Sequence, residues 1–208
     1  MSSTVAPTRM NLFLLRKRLK LAQRGSSLLQ EKLDALLMNF YKYSREYKEH
    51  REKTIEQLSK AYSEYKSGLA VKGEYTVDLL SDLSLPEMNV EFEEQNIMGV
   101  KLPKLLIKDT DMKPNPPLSD SDILLEEAMK SLRETTPMLI KLAELEGIVL
   151  RLYTAIISTR KRVNALKEIV IPQVSHSVRL IELNLSERAR EDFFRLKRIK
   201  TKLSKKKK

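Results

Sequence analysis

NLFLLRKRLKLAQRGSSLLQEKLDALLMNFYKYSREYKEH, residues 11–50, is the stretch whose reading decides the fold. Its apolar side chains recur at Leu12, Leu15, Leu19, Ala22, Leu29, Leu33, Leu36, Phe40, Tyr43 and Tyr47, with Ser26 filling one slot of the same pattern. The steps alternate between four and three, the spacing of a helix that lays one seam against another helix. The pattern steps by four twice, through Arg51 to Ile55, and resumes at Leu58, Tyr62, Tyr65 and Leu69. Such a stutter locally unwinds a left-handed supercoil. No proline lies between Asn11 and Leu69, so the spacing predicts one helix of about 58 residues, or about 90 Å at 1.5 Å per residue.

The second half of the chain answers the first. Leu142, Leu145, Val149, Leu152, Ile156, Thr159, Val163 and Leu166 repeat the heptad and read as the antiparallel partner. The step then stays at four through Val170, Val174 and Val178, before Ile181, Leu185, Ala189, Phe193 and Leu196 carry the stripe towards the C-terminus. Ser119 or Ser121 can cap this second helix. Pro137 and Pro172 interrupt it, and a proline inside a helix removes a donor and crowds the carbonyl four residues back. We expect a single helix over about 121–203 with two kinks.

The intervening stretch carries Pro86, Gly99, Pro103, Pro114, Pro116 and Pro117, which excludes a long helix. Met88-Asn-Val-Glu-Phe-Glu and Val100-Lys-Leu-Pro-Lys-Leu-Leu-Ile alternate in polarity and predict two short strands joined through Asn96–Gly99, with Pro103 confining its strand to an edge. The fold class is therefore all-α dominated: a long antiparallel two-helix coiled coil with a small β-hairpin cap. Its segments are an N-terminal extension (1–10), the first helix (11–72), the acidic cap (73–120), the second helix (121–203) and a disordered lysine tail (204–208). The hairpin is expected at the acidic far end, with both termini together at the other.

Composition narrows the function. The 208 residues are 32% charged and contain no cysteine, which excludes disulfides, a thiolate metal site and a cysteine nucleophile. No apolar run approaches the roughly 18 residues of a membrane span, and Met1–Thr8 lacks the order of a signal peptide. A cytoplasmic protein is the expectation. The net charge of +11 is unevenly spread: +8 over 1–73, −9 over 74–127, +3 over 128–187 and +9 over 188–208. His50 and His176, the only histidines, have no ligand spacing around them and read as structural, as do the tyrosines of the seam, with Tyr41 alone off it. Carboxylate pairs such as Glu93 with Glu94 and Glu126 with Glu127 sit in ordinary solvated runs. No phosphate loop or GxGxxG is present. Catalysis, cofactor and metal are not expected. The basic tail leaves one alternative open, a coiled-coil hairpin that binds nucleic acid through Arg188–Lys208.

Two strings go further. Pro7-Thr-Arg-Met-Asn-Leu-Phe-Leu-Leu-Arg-Lys-Arg-Leu-Lys with Ala22-Gln-Arg-Gly-Ser-Ser-Leu-Leu-Gln-Glu-Lys-Leu-Asp-Ala-Leu resembles the opening of the D subunit of the V-type and archaeal A-type rotary ATPases. Thr159-Arg-Lys-Arg-Val-Asn-Ala-Leu, Ile171-Pro172 and Glu187-Arg-Ala-Arg-Glu-Asp-Phe-Phe-Arg-Leu-Lys-Arg-Ile-Lys is similar to that family's C-terminal signature, in which Arg160, Arg162, Val163, Asn164, Ala165 and Pro172 stand. Asn96-Ile-Met-Gly-Val-Lys-Leu-Pro is similar too. Lys167 and Leu33 depart from the family's usual acidic and basic residues at those places. The resemblance implies a central rotor shaft that binds no nucleotide and couples ATP turnover in a hexameric head to proton or sodium movement through a membrane ring. It implies that Arg9, Met10, Asn11, Arg16, Arg188, Arg190 and Arg195 face the bearing of the catalytic and regulatory subunits. The small F subunit of the rotor would dock along the mid-rod, and the acidic cap would point to a membrane-side socket subunit (C/d). No nucleic-acid partner is implied, and the chain would be peripheral to the membrane.

Overall fold

A computed structural model describes residues 6–74, 77, 89–108 and 123–206. Helix α1 runs Arg9–Lys72, strands β1 and β2 run Asn89–Ile97 and Val100–Lys108, and helix α2 runs Ile123–Asn164. A π-helical turn, Ala165–Val170, then leads into helix α3, Ile171–Lys206. Two long helical halves pack together, with a two-stranded antiparallel sheet between them in sequence. The expected capping serines 119 and 121 lie outside the described residues. Pro137 sits inside α2 without ending it, and Ser204–Lys206 of the expected tail are helical.

The chain forms two compact units, Met1–Asp34 with Ile157–Lys208, and Ala35–Ile156. In the first, α1 begins with a side-chain cap: the Asn11 N–H donates to Thr8 Oγ1 at 3.2 Å, which satisfies one of the free amides of the first turn. Leu33, Val163, Val174, Val178 and Ile181 are buried, while Leu12, Leu15, Leu19, Ala22 and Leu29 are half-buried. Two contacts fix the antiparallel sense. Arg16 Nη2 lies 2.8 Å from Glu182 Oε1, and Arg188 Nη1 donates to the Pro7 carbonyl at 3.4 Å. Beyond Arg188, α3 runs past the start of α1. Ala189, Phe193 and Leu196, expected to continue the seam, are exposed instead, Phe193 at 67% and Leu196 at 65%. The stripe persists in sequence where the partner helix has ended.

In the second unit the expected seam is corrected after the stutter. Thr54, Ala61 and Gly68 are buried, seven residues apart, whereas Ile55, Leu58 and Tyr62 are exposed. Small side chains let the helices approach, and a Cβ on Gly68 would lie 3.2 Å from Leu125 Cδ1. The buried hydroxyls stay satisfied, Thr54 donating to the His50 carbonyl and Thr135 to that of Ser131, each at 2.7 Å.

Strands β1 and β2 pair from Asn89↔Lys108 to Ile97↔Val100. Met98 and Gly99 make the turn, both with positive φ (54° and 79°), the two-residue geometry that matches the twist of paired strands. The hairpin does not cap the far end as expected. It lies against the middle of α1, where Leu36, Leu102, Ile148, Leu152 and Ile156 form one buried cluster, with Leu37, Phe40, Tyr43, Ile97 and Val100 packed around it. Burying a leucine or isoleucine side chain stabilises by roughly 1.5–3 kcal/mol, so this cluster anchors the hairpin.

Candidate functional site

In the first unit the segment that leads into α1 meets α3 at Arg188. Thr8 and Asn11 hold the segment before α1 in place: the Asn11 amide donates from Nδ2 to the Ala6 carbonyl at 2.8 Å, and the Thr8 N–H donates to the same carbonyl at 2.9 Å. Arg188 closes on Pro7 from the facing helix. Arg9 and Met10 point outward, as does Arg190, and Arg195 reaches Glu191 only at 3.8 Å. The Arg16 guanidinium is committed to Glu182, using both Nε (3.2 Å) and Nη2 (2.8 Å). Among the expected bearing residues, then, Arg9, Met10, Asn11, Arg16 and Arg188 are gathered around the start of α1, and Arg190 and Arg195 lie beyond it.

From Arg188 onward every side chain through Ser204 is exposed. Phe193, Phe194, Leu196, Ile199 and Leu203 stand among Arg195, Lys197, Arg198, Lys200 and Lys202. A helix exposed over this length that offers aromatic, aliphatic and cationic groups together suits a protein cavity with an apolar wall and acidic rim.

The family-motif residues occupy the same unit. Val163 is buried, Arg160, Arg162, Asn164 and Ala165 are exposed, and Pro172 is the second residue after the π-helical turn. Of the seam residues, Leu33, Leu36, Leu152, Ile156, Val163 and Ile181 are buried, and Leu12, Leu19, Leu29, Phe40, Tyr43, Tyr47, Leu166 and Leu185 are half-buried.

Sequence reasoning passed over the contacts that hold the hairpin. A Cβ on Gly147 would lie 2.9 Å from Pro103 Cγ, so only glycine admits the proline ring at this distance. An isolated glycine inside a strong heptad pattern was the available signal. Asn39 donates from Nδ2 to the Ala35 carbonyl at 3.0 Å and sits 3.8 Å from Met98 Sδ at the hairpin turn. Further along the second unit, Ile55, Leu58, Ser59, Tyr62, Tyr65 and Leu132 line an apolar groove of about 520 Å³. The Tyr62 and Tyr65 rings stack there, and Lys66 Nζ lies 4.7 Å from the Tyr62 centroid.

Among the described residues no group of three or more His, Asp or Glu side chains could hold a metal ion. No helix among them is long and apolar enough to cross a membrane.

Comparison with known proteins gives a consistent result. The family of ATP synthase D subunits matches residues 11–201. The chain is 37% identical to the A-type ATP synthase D subunit of Methanopyrus kandleri over 205 residues, 98% of this chain and 88% of that one. It is 35% identical to the A-type ATP synthase D subunit of Pyrococcus furiosus over 199 residues (94% and 93%). With the V-type ATP synthase D subunit of Thermus thermophilus it shares 37% identity over 202 residues (97% and 90%).

Proposed function

The chain belongs to the ATP synthase D subunit family, and from that premise we propose that it is the central rotor shaft of an A/V-type ATPase or synthase. In this reading it is a non-catalytic component with no nucleotide site of its own. Its paired helices carry torque between ATP hydrolysis or synthesis in a hexameric head and proton or sodium movement through a membrane ring.

The observation that carries the reading is the end of the first unit, where α3 continues past the start of α1 as a single exposed helix with aromatic and cationic side chains interleaved. An isolated helix of this composition has no reason to stay bare in water. The catalytic and regulatory subunits supply the sleeve around it, and Arg9, Met10, Asn11, Arg16, Arg188, Arg190 and Arg195 face their bearing. Because the side chains around the tip differ in every direction, it presents unlike faces to the interfaces around it, which is what a rotor needs to set them in different states. The small F subunit docks along the paired helices, and the membrane-side socket subunit (C/d) takes the end opposite the termini. The complex holds the chain at the membrane surface from outside the bilayer.

The test is purification from native membranes through a tag on this chain. Recovery of the head subunits and ring, with ATPase activity that the isolated chain lacks, is the expected result. Stoichiometric ATP binding by the isolated chain, or its recovery with nucleic acid in place of the head, would overturn the assignment.

A further inference from the structure

The second half departs from the α-helical hydrogen-bond pattern at Ala165–Val170, where the Ile171 N–H donates to the Leu166 carbonyl five residues back. A π turn holds more residues per turn than an α-helix, so it absorbs an extra residue without moving the faces on either side. The seam shows the extra residue. From Val163 the packed positions run Leu166, Val170, Val174, Val178 and Ile181, with three consecutive steps of four where a heptad alternates. Removing Lys167 from the count places Leu166, Ile171, Val174, Val178 and Ile181 at steps of four, three, four and three. Pro172 sits two residues past the end of the turn. It has no N–H to return to the ladder, and its ring needs the space that a widened turn leaves.

The facing helix is weakened at the same level. Counting nine residues inward from the Arg16–Glu182 pair sets Gly25 opposite Gln173, and Ser26 and Ser27 follow it. Nothing lies within 4 Å of where a Cβ on Gly25 would be, so packing does not require this glycine, and it lowers helix stability relative to alanine. No side chain between Asn164 and Gln173 is buried, nor any on α1 from Arg9 to Lys32. The break in the ladder, the unforced glycine and the locally thin packing of the second half, between buried Val163 and Val174, coincide.

We propose that Ala165–Pro172 and Gly25–Ser27 together form a flexure, a place built to bend and twist inside an otherwise continuous helix pair. The inserted residue is its origin, and the widened turn gives the Pro172 ring room. The inference rests on the rotor reading only for the source of the load: a shaft turned within a head against a resisting ring must yield somewhere, and this is where yielding costs least. The flexure itself is a property of the chain.

Amide hydrogen exchange on the full chain tests it. Residues 166–171 and 25–29 should exchange at least about tenfold faster than residues 14–20 and 177–184, which belong to the same unit. Deleting Lys167 should restore α-helical protection across 166–171 while helicity by circular dichroism is kept, and Gly25→Ala should slow exchange at 25–29 about threefold. A flat profile over both helices in the unaltered chain would overturn the proposal, as would a folded Lys167 deletion with protection unchanged. Should the deletion variant fail to fold, the unaltered profile and Gly25→Ala decide. None of these readings depends on ATP, a head or a membrane, so a failed flexure and a failed rotor assignment are told apart.

Discussion

Gly147 and Arg16 make opposite predictions. A side chain on Gly147 must displace Pro103, because a Cβ would already lie 2.9 Å from its ring. Gly147→Val should therefore cost about 1–3 kcal/mol, the usual range for overpacking, and free the hairpin from the helices. Limited trypsin digestion at Lys101 and Lys104, with the midpoint of thermal unfolding, checks both parts. Arg16, by contrast, is 61% exposed and its partner Glu182 41%. Solvent screens such a pair, so Arg16→Ala should change the stability of the isolated chain by less than about 1 kcal/mol. If the same substitution markedly lowers head binding in the assembled complex, the guanidinium works against a partner rather than within this chain. Leu36 is fully buried in the cluster under the hairpin, and Leu36→Ala should cost about 2–5 kcal/mol in chemical denaturation. Leu36 could be chosen from the heptad alone, since its neighbours at steps of three and four are apolar. Gly147 could not, because its role depends on a strand more than forty residues earlier in the chain.

The elements were legible where one period governs a long stretch. α1 follows from its alternating steps, and the two strands from alternating polarity around Met98-Gly99. What local pattern could not supply was the docking place of the hairpin. Acidic charge and its place in the chain suggested the far end, yet Leu102 and Pro103 find their apolar complement only at Leu36, Gly147, Ile148 and Leu152. After the stutter, hydrophobicity was also a poor guide to burial. The residues facing α2 are Thr54, Ala61 and Gly68, chosen by size, while Ile55, Leu58 and Tyr62 are turned to the flank and line the groove. Ala61→Leu should accordingly destabilise by about 1–3 kcal/mol despite adding apolar area, whereas Leu58→Ala, at a site already 38% exposed, should cost well under the 2–5 kcal/mol of a buried leucine. Thermal or denaturant unfolding of the pair separates the two: an equal loss in both would mean that the seam runs through Leu58 after all. The π turn left a trace in the sequence as three steps of four. Periodicity alone assigned that irregularity to a kink at Pro172, because a widened turn and a bend leave the same spacing.

For the molecule as a whole, the decisive asymmetry is between stability and coupling. Residues 188–208 carry +9 of the net +11, and from Arg188 to Ser204 none is buried. The helical pairing of the first unit ends at the contact of Arg188 with Pro7. Removing Ala189–Lys208 therefore takes away no buried side chain among those described, and the isolated chain should unfold within about 0.5 kcal/mol of the full-length protein, as expected for surface changes away from packed features. The complex should respond differently. In the rotor reading, Phe193, Phe194 and Leu196 are covered only by the head, and each large apolar side chain buried there contributes roughly 1.5–3 kcal/mol. The truncated shaft should lose much of its affinity for the head and pump fewer ions per ATP in reconstituted membranes, while attachment at the opposite end persists. Removing only Ser204–Lys208 deletes four lysines and spares these apolar groups, so coupling should survive it. Full coupling with the long deletion would show that torque enters elsewhere along the helices. Failure to assemble with the short one would transfer the binding role to the lysine run, whose contribution should then fall steeply as salt is raised.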